Sequence, residues 1–151
     1  MSPRMKTKDL QEKISRNMKT WQKIEDASVE STQTIMEKTD NPIIKLVMEI
    51  IQRDSGTHRR VQQLIVDSIE KEALSLSPDE MSKVWDLIEN HLLIERRMVG
   101  LVEETLEDLK GKKMVVQEYL VDYLLADEKK HDQLLDNFEK IKKGMYPYGG
   151  H

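Results

Sequence analysis

The chain has 151 residues, 34% charged, 38% hydrophobic and 5% aromatic, with a net charge of −4 and no Cys. The lack of cysteine excludes disulfides, thiol catalysis, thiolate-ligated zinc and a rubredoxin-type four-cysteine iron centre. Interspersed acid and base leave no basic footprint for nucleic acid or for a membrane surface.

No apolar run approaches the roughly 18 residues of a membrane span. Met1-Ser2-Pro3-Arg4-Met5-Lys6 does not lead into a signal-peptide core, which fits a cytoplasmic location. With only 6 Gly and 4 Pro, the chain reads as long helices. The core they share must be aliphatic, with 9 Met to fill gaps. Residues 1–6 read as a frayed start. From about Thr7 to Lys38 a helical period follows Leu10, Ile14, Met18, Trp21, Ile24, Ser28, Thr32 and Ile35, unusually polar in its middle. Asn41 is the expected N-cap of a second helix, with Pro42 at its first position. That helix runs to about Lys71 on the stripe Ile43, Val47, Ile50/Ile51, Asp54, His58, Val61, Ile65 and Ile69. Gly56 in its interior predicts close packing, a bulge or a kink.

Ser77-Pro78-Asp79-Glu80 combines an N-cap, a proline at N1 and a capping-box glutamate. The third helix then runs to about Leu109, and Gly111 ends it. Its stripe includes Met81, Trp85, Ile88, His91, Glu95, Met98, Val102 and Leu106. A fourth helix runs from about Lys113 to Lys143 through Val121, Leu124/Leu125, Glu128, His131, Leu135 and Phe138, with Gly144 as its stop signal. Four helices of about 30 residues, each near 45 Å long at roughly 1.5 Å per residue, predict an all-α four-helix bundle. It is read as one domain over residues 1–145, with a tail at 146–151.

The polar interruptions fall at helix centres: Glu25; Asp54 with His58; His91 with Glu95; Glu128 with His131. Packed side by side, the helices would bring them to one height. Buried carboxylates need partners, and several carboxylates with two imidazoles suit a transition metal. The chain also repeats itself. Ile24-Glu25 matches Ile94-Glu95, and Asp54-Ser55-x-x-His58 matches Asp127-Glu128-x-x-His131.

A Glu on one helix and Glu-x-x-His on the next, twice over, resembles the ferritin-like di-iron carboxylate proteins. With an Asp before the motif Glu, the chain looks most like the rubrerythrin branch without a rubredoxin domain. The resemblance implies a metal site of Glu25, Asp54, His58, Glu95, Glu128 and His131. Glu25 and Glu95 would be single-carboxylate ligands, Glu128 and His131 a bridging and terminal pair, and His58 the terminal ligand of the other metal. It implies iron, as a di-iron or single-metal centre, with redox chemistry toward peroxide or oxygen or a part in iron handling. Zinc and manganese stay open, because such donor sets bind several divalent metals. Two departures stand out. Ser55 occupies the place of the second motif Glu, where Asp54 could substitute as a shorter, rotated carboxylate. An electron donor would have to be a separate protein.

Related halves require helices two and three to run the same way, which within one chain needs a crossover of about 45 Å. The linker Glu72 to Leu76 spans at most about 18 Å. Either the bundle is up-down-up-down, or the first helix pair packs on the second pair of another chain. The internal repeat favours that swapped homo-dimer or a higher homo-oligomer. Two competing readings remain: a ferritin-like bundle with a degenerate site that binds metal without redox turnover, and a metal-free structural or interaction module. In the bland readings Asp54 pairs with Arg53, Arg96 or Arg97, His58 is a hydrogen-bonded core residue, and His91 supports Glu95 without binding metal.

Overall fold

Two caps set the helix boundaries. The Asn41 side chain accepts from the amides of Ile43 and Ile44 at 2.9 and 3.1 Å. Ser77 and Glu80 close the capping box in both directions. Each cap satisfies amides that the first turn of a helix cannot. The computed structural model describes residues 4–145, which hold α1 (Thr7–Glu37), α2 (Pro42–Glu70), α3 (Pro78–Leu109), α4 (Val115–Asp136) and α5 (Phe138–Met145). The described residues are all-helical, with four long helices, a short fifth and no strand. The expected tail at 146–151 lies outside them.

The chain divides into two compact units, Met1–Leu74 and Ser75–His151. Each is a helical hairpin. In the first, Ser15 bonds Glu70 near one end and Gln52 reaches the Val29 carbonyl toward the other, so α1 and α2 are antiparallel. In the second, Arg96 approaches Asp132 and Lys129 approaches Glu103, which sets α3 against α4 in the same sense.

The first hairpin has a polar seam. Its buried side chains are Ser15, Gln22, Glu25 and Thr32 from α1, and Ser55, Gln62 and Val66 from α2. Gln22 donates to the Arg59 carbonyl and to Gln63, and the Thr32 hydroxyl donates back to the Ser28 carbonyl. The second hairpin buries Met81, Leu92, Glu95 and Leu109, all on α3.

Three expectations change. Only the polar members of the α1 stripe reach the seam, where Thr32 is buried and Ser28 bonds Ser55; Trp21 and Ile24 are 49% and 60% exposed, and Leu10 and Ile35 are exposed as well. Two helices can bury only the line along which they touch, and that line runs one position over, through Gln22 and Glu25. Gly56 marks no tight contact, because α2 runs unbroken through it and a β-carbon there would meet nothing within 4 Å. The expected fourth helix is interrupted at Asn137, whose amide bonds the carbonyls of Gln133 and Leu135 before Ile141 starts a new turn on its carbonyl. Asparagine is a poorer residue for a helix interior than the leucines before it. Gly144 therefore lies inside α5 and does not end α4. Gly111 behaves as expected, with φ of 72° just past α3.

Gly56→Ala should raise stability by about 0.5–1 kcal/mol, since alanine restricts the unfolded chain and meets open space in the helix. Chemical denaturation followed by circular dichroism measures it. A loss of stability would show a close approach at Gly56 after all.

Candidate metal centre

Glu95 sits in the middle of α3, 4% exposed. Its Oε1 lies 2.9 Å from His91 Nε2, one turn earlier on the same helix, and 3.5 Å from His131 Nδ1 on α4. His131 Nδ1 is also 3.7 Å from Glu128 Oε2. Donor atoms of Glu95, Glu128 and His131 all fall within 4.8 Å of one another, the one such group of three among the described residues. The spacing explains the convergence. Glu128 and His131 are three apart on α4 and share a face, and the antiparallel pairing places Glu95 opposite them.

The local electrostatics are unbalanced. Glu95 Oε2 and Glu128 Oε2 are buried oxygens without a hydrogen-bond donor, whereas Asp132 Oδ1 beside them faces Arg96 at 3.5 Å. Each such group carries a desolvation cost of about 1–3 kcal/mol. The Glu95 and Glu128 carboxyls interact directly. That contact, followed by burial, raises the Glu128 pKa above its ordinary value. The same contact, helped by His91, lowers that of Glu95. The pair therefore holds a proton more tightly on Glu128 than on Glu95. A cation between the two would stand in for that proton with more charge. Two carboxylates and one imidazole are a donor set for a divalent transition metal, and the orphaned oxygens show that these residues fit one.

The far side of the imidazole is held too. His131 Nε2 lies 3.5 Å from Asp127 Oδ2, and Asp127 pairs with Lys130 at 2.8 Å. A carboxylate behind a ligating histidine fixes its ring and tautomer.

The first hairpin places the matching residues differently. Glu25 is buried, and its Oε2 lies 3.3 Å from His58 Nδ1, the same pairing as Glu95 with His131. The Gln62 amide donates to that same oxygen at 3.2 Å. Ser55 is buried and donates to Ser28 Oγ at 2.9 Å. Asp54 is exposed on α2 and joins no group of three potential donors among the described residues. Six residues were expected at the site. The structure brings Glu95, Glu128 and His131 into one group, sets Glu25 and His58 as a pair, and leaves Asp54 outside both. Gln62, Ser28 and Asp127 were not expected to take part. For Gln62 the signal was there: it lies four residues after His58 and seven after Ser55, on their face of the helix.

Proton sharing fixes the sign of a pH effect. Glu128, with a raised pKa, contributes stability that is lost as pH climbs from the ordinary carboxylate range through its folded value. Glu95, with a lowered pKa, contributes stability that is lost as pH falls below that range. In chelator-treated protein, Glu128→Gln keeps a donor to Glu95 and cannot ionise. Its stability relative to wild type should therefore improve as pH rises through the window above the ordinary carboxylate range. Parallel urea-denaturation curves for the two proteins across that window would rule the shared proton out.

No helix among the described residues is long and apolar enough to cross a membrane. Comparison of the chain with family models, with curated proteins and with solved structures finds no match.

Proposed function

We propose that this chain is a metalloprotein of ferritin-like character, in which Glu95, Glu128 and His131 hold a divalent transition metal ion, iron being the expected one. One observation carries the reading. Two carboxylates and an imidazole converge at a buried point where two of the oxygens lack any donor. Burying such a cluster costs stability unless a proton or a cation bridges it.

The protein's own groups have distinct tasks in this reading. Glu95 and Glu128 supply the negative charge, and since the ligands must be deprotonated to bind, affinity rises with pH. His131 presents Nδ1 to the centre while Asp127 holds the opposite nitrogen. His91 lies against Glu95 Oε1, the oxygen that His131 also faces, and, being half exposed, links the buried carboxylate to solvent. A bound iron would supply one-electron redox chemistry toward peroxide or oxygen. A separate electron-donor protein and assembly as a homo-dimer or larger homo-oligomer belong to the same proposal.

The second reading is metal binding without redox turnover. Ser55 favours it, because its hydroxyl is engaged with Ser28 where the resemblance calls for a second motif carboxylate.

Metal analysis of untagged protein, with an optical spectrum after ferrous loading in air, separates the two. Bound metal with a ferric charge-transfer band supports the redox reading, and bound metal without one supports the second. Glu128→Ala and His131→Ala should each weaken binding by more than the roughly 10–100-fold that losing a mere supporting partner of a ligand costs. Retention of wild-type affinity by both variants would remove the site.

A further inference from the structure

The repeat puts Glu25 and Glu95 at equivalent positions, and the two hairpins satisfy them in different ways. Around Glu95, buried oxygens are left waiting for a positive partner. Around Glu25, the partner is already built in. Gln62 is 3% exposed and donates its amide to Glu25 Oε2, the oxygen that also faces His58. The residue four places after His131, equivalent to Gln62, is Leu135, which has no polar side-chain atom to offer. Ser55 is likewise spoken for by Ser28, whose counterpart in the second half is Met98.

We propose that Gln62 closes the first half of the duplicated site, so that the chain takes one metal ion and takes it in the second hairpin. This rests on the metal reading above. A cation approaching Glu25 would have to displace an N–H donor from a carboxylate, one of the stronger hydrogen bonds a protein makes. It would leave that amide buried and unpaired. In exchange it would gain two donors, Glu25 and His58, where the second hairpin supplies three. The Gln62 orientation follows from the same contact. Turning the amide over would set its oxygen against the Glu25 carboxylate, so Nε2 stays inward although Oε1 is left without a donor.

The test is a cobalt(II) titration of the chelator-stripped full chain, read by absorption and by metal analysis. Wild type should bind one equivalent. Glu25→Gln and His58→Asn should keep that equivalent, with affinity within about threefold of wild type, less than 1 kcal/mol on the scale where tenfold is 1.4. Ser55→Glu alone should stay at one equivalent. The double variant Ser55→Glu/Gln62→Leu, which copies the second half into the first, should rise to two. Circular dichroism of each variant establishes that its helices are intact. Two equivalents in wild type would overturn the proposal. So would a second equivalent with Ser55→Glu alone, or loss of the single equivalent in both Glu25→Gln and His58→Asn. A helical double variant that stays at one equivalent overturns it as well. Wild type that takes up no cobalt would instead overturn the metal reading, and this proposal with it.

Discussion

The contact between the Glu95 and Glu128 carboxyls governs the second hairpin. Two acids of like charge meet in the least solvated part of the α3–α4 seam, and only a shared proton or a bound cation lets them stay. The surroundings answer that requirement. His91 and His131 both approach Glu95 Oε1, and Asp127 lies 3.5 Å from the far nitrogen of His131. No apolar substitute explains why α3 should place its most deeply buried charge opposite another acid.

The first hairpin shows the same backbone arrangement with the tension removed. Glu25 meets an amide where Glu95 meets an acid, and Ser55 meets a hydroxyl. The two hairpins thus differ in how they answer a buried carboxylate: Glu25 has an amide donor across its seam, while Glu95 and Glu128 each keep a buried oxygen without one. Two matching helical frames carry different chemistry in their interiors.

Much of the helical layout was legible before any coordinates. Asn41, Pro42, Ser77, Pro78, Glu80 and Gly111 are local signals, and local signals place boundaries well because the groups they satisfy lie within one turn. The convergence of Glu95, Glu128 and His131 was legible for a similar reason, since motif spacing and antiparallel pairing nearly determine it. The role of Ser28 was hidden, and for Gln62 only its place on the face of Ser55 and His58 hinted at one. A buried serine looks the same in sequence as an exposed one, and only its partner across the seam shows what it does. The stripe through Trp21 and Ile24 misled for a related reason. Periodicity reports that a face is apolar, but not which neighbour will cover it. The Asn137 break was hidden because asparagine is tolerated in many helices that do not end.

The polar seam of the first hairpin has a consequence beyond stability. Apolar side chains pack against one another in several registers, so a seam of leucines can slide by a turn at modest cost. Hydrogen bonds from Ser15 to Glu70, from Gln22 to Gln63, from Ser55 to Ser28 and from Gln52 to Gln33 are each specific to one alignment. A one-turn slip would break all four together and strand their polar atoms. The seam therefore acts as a vernier for the helix pair: it gives up some burial energy and in return holds α1 and α2 to a single longitudinal setting.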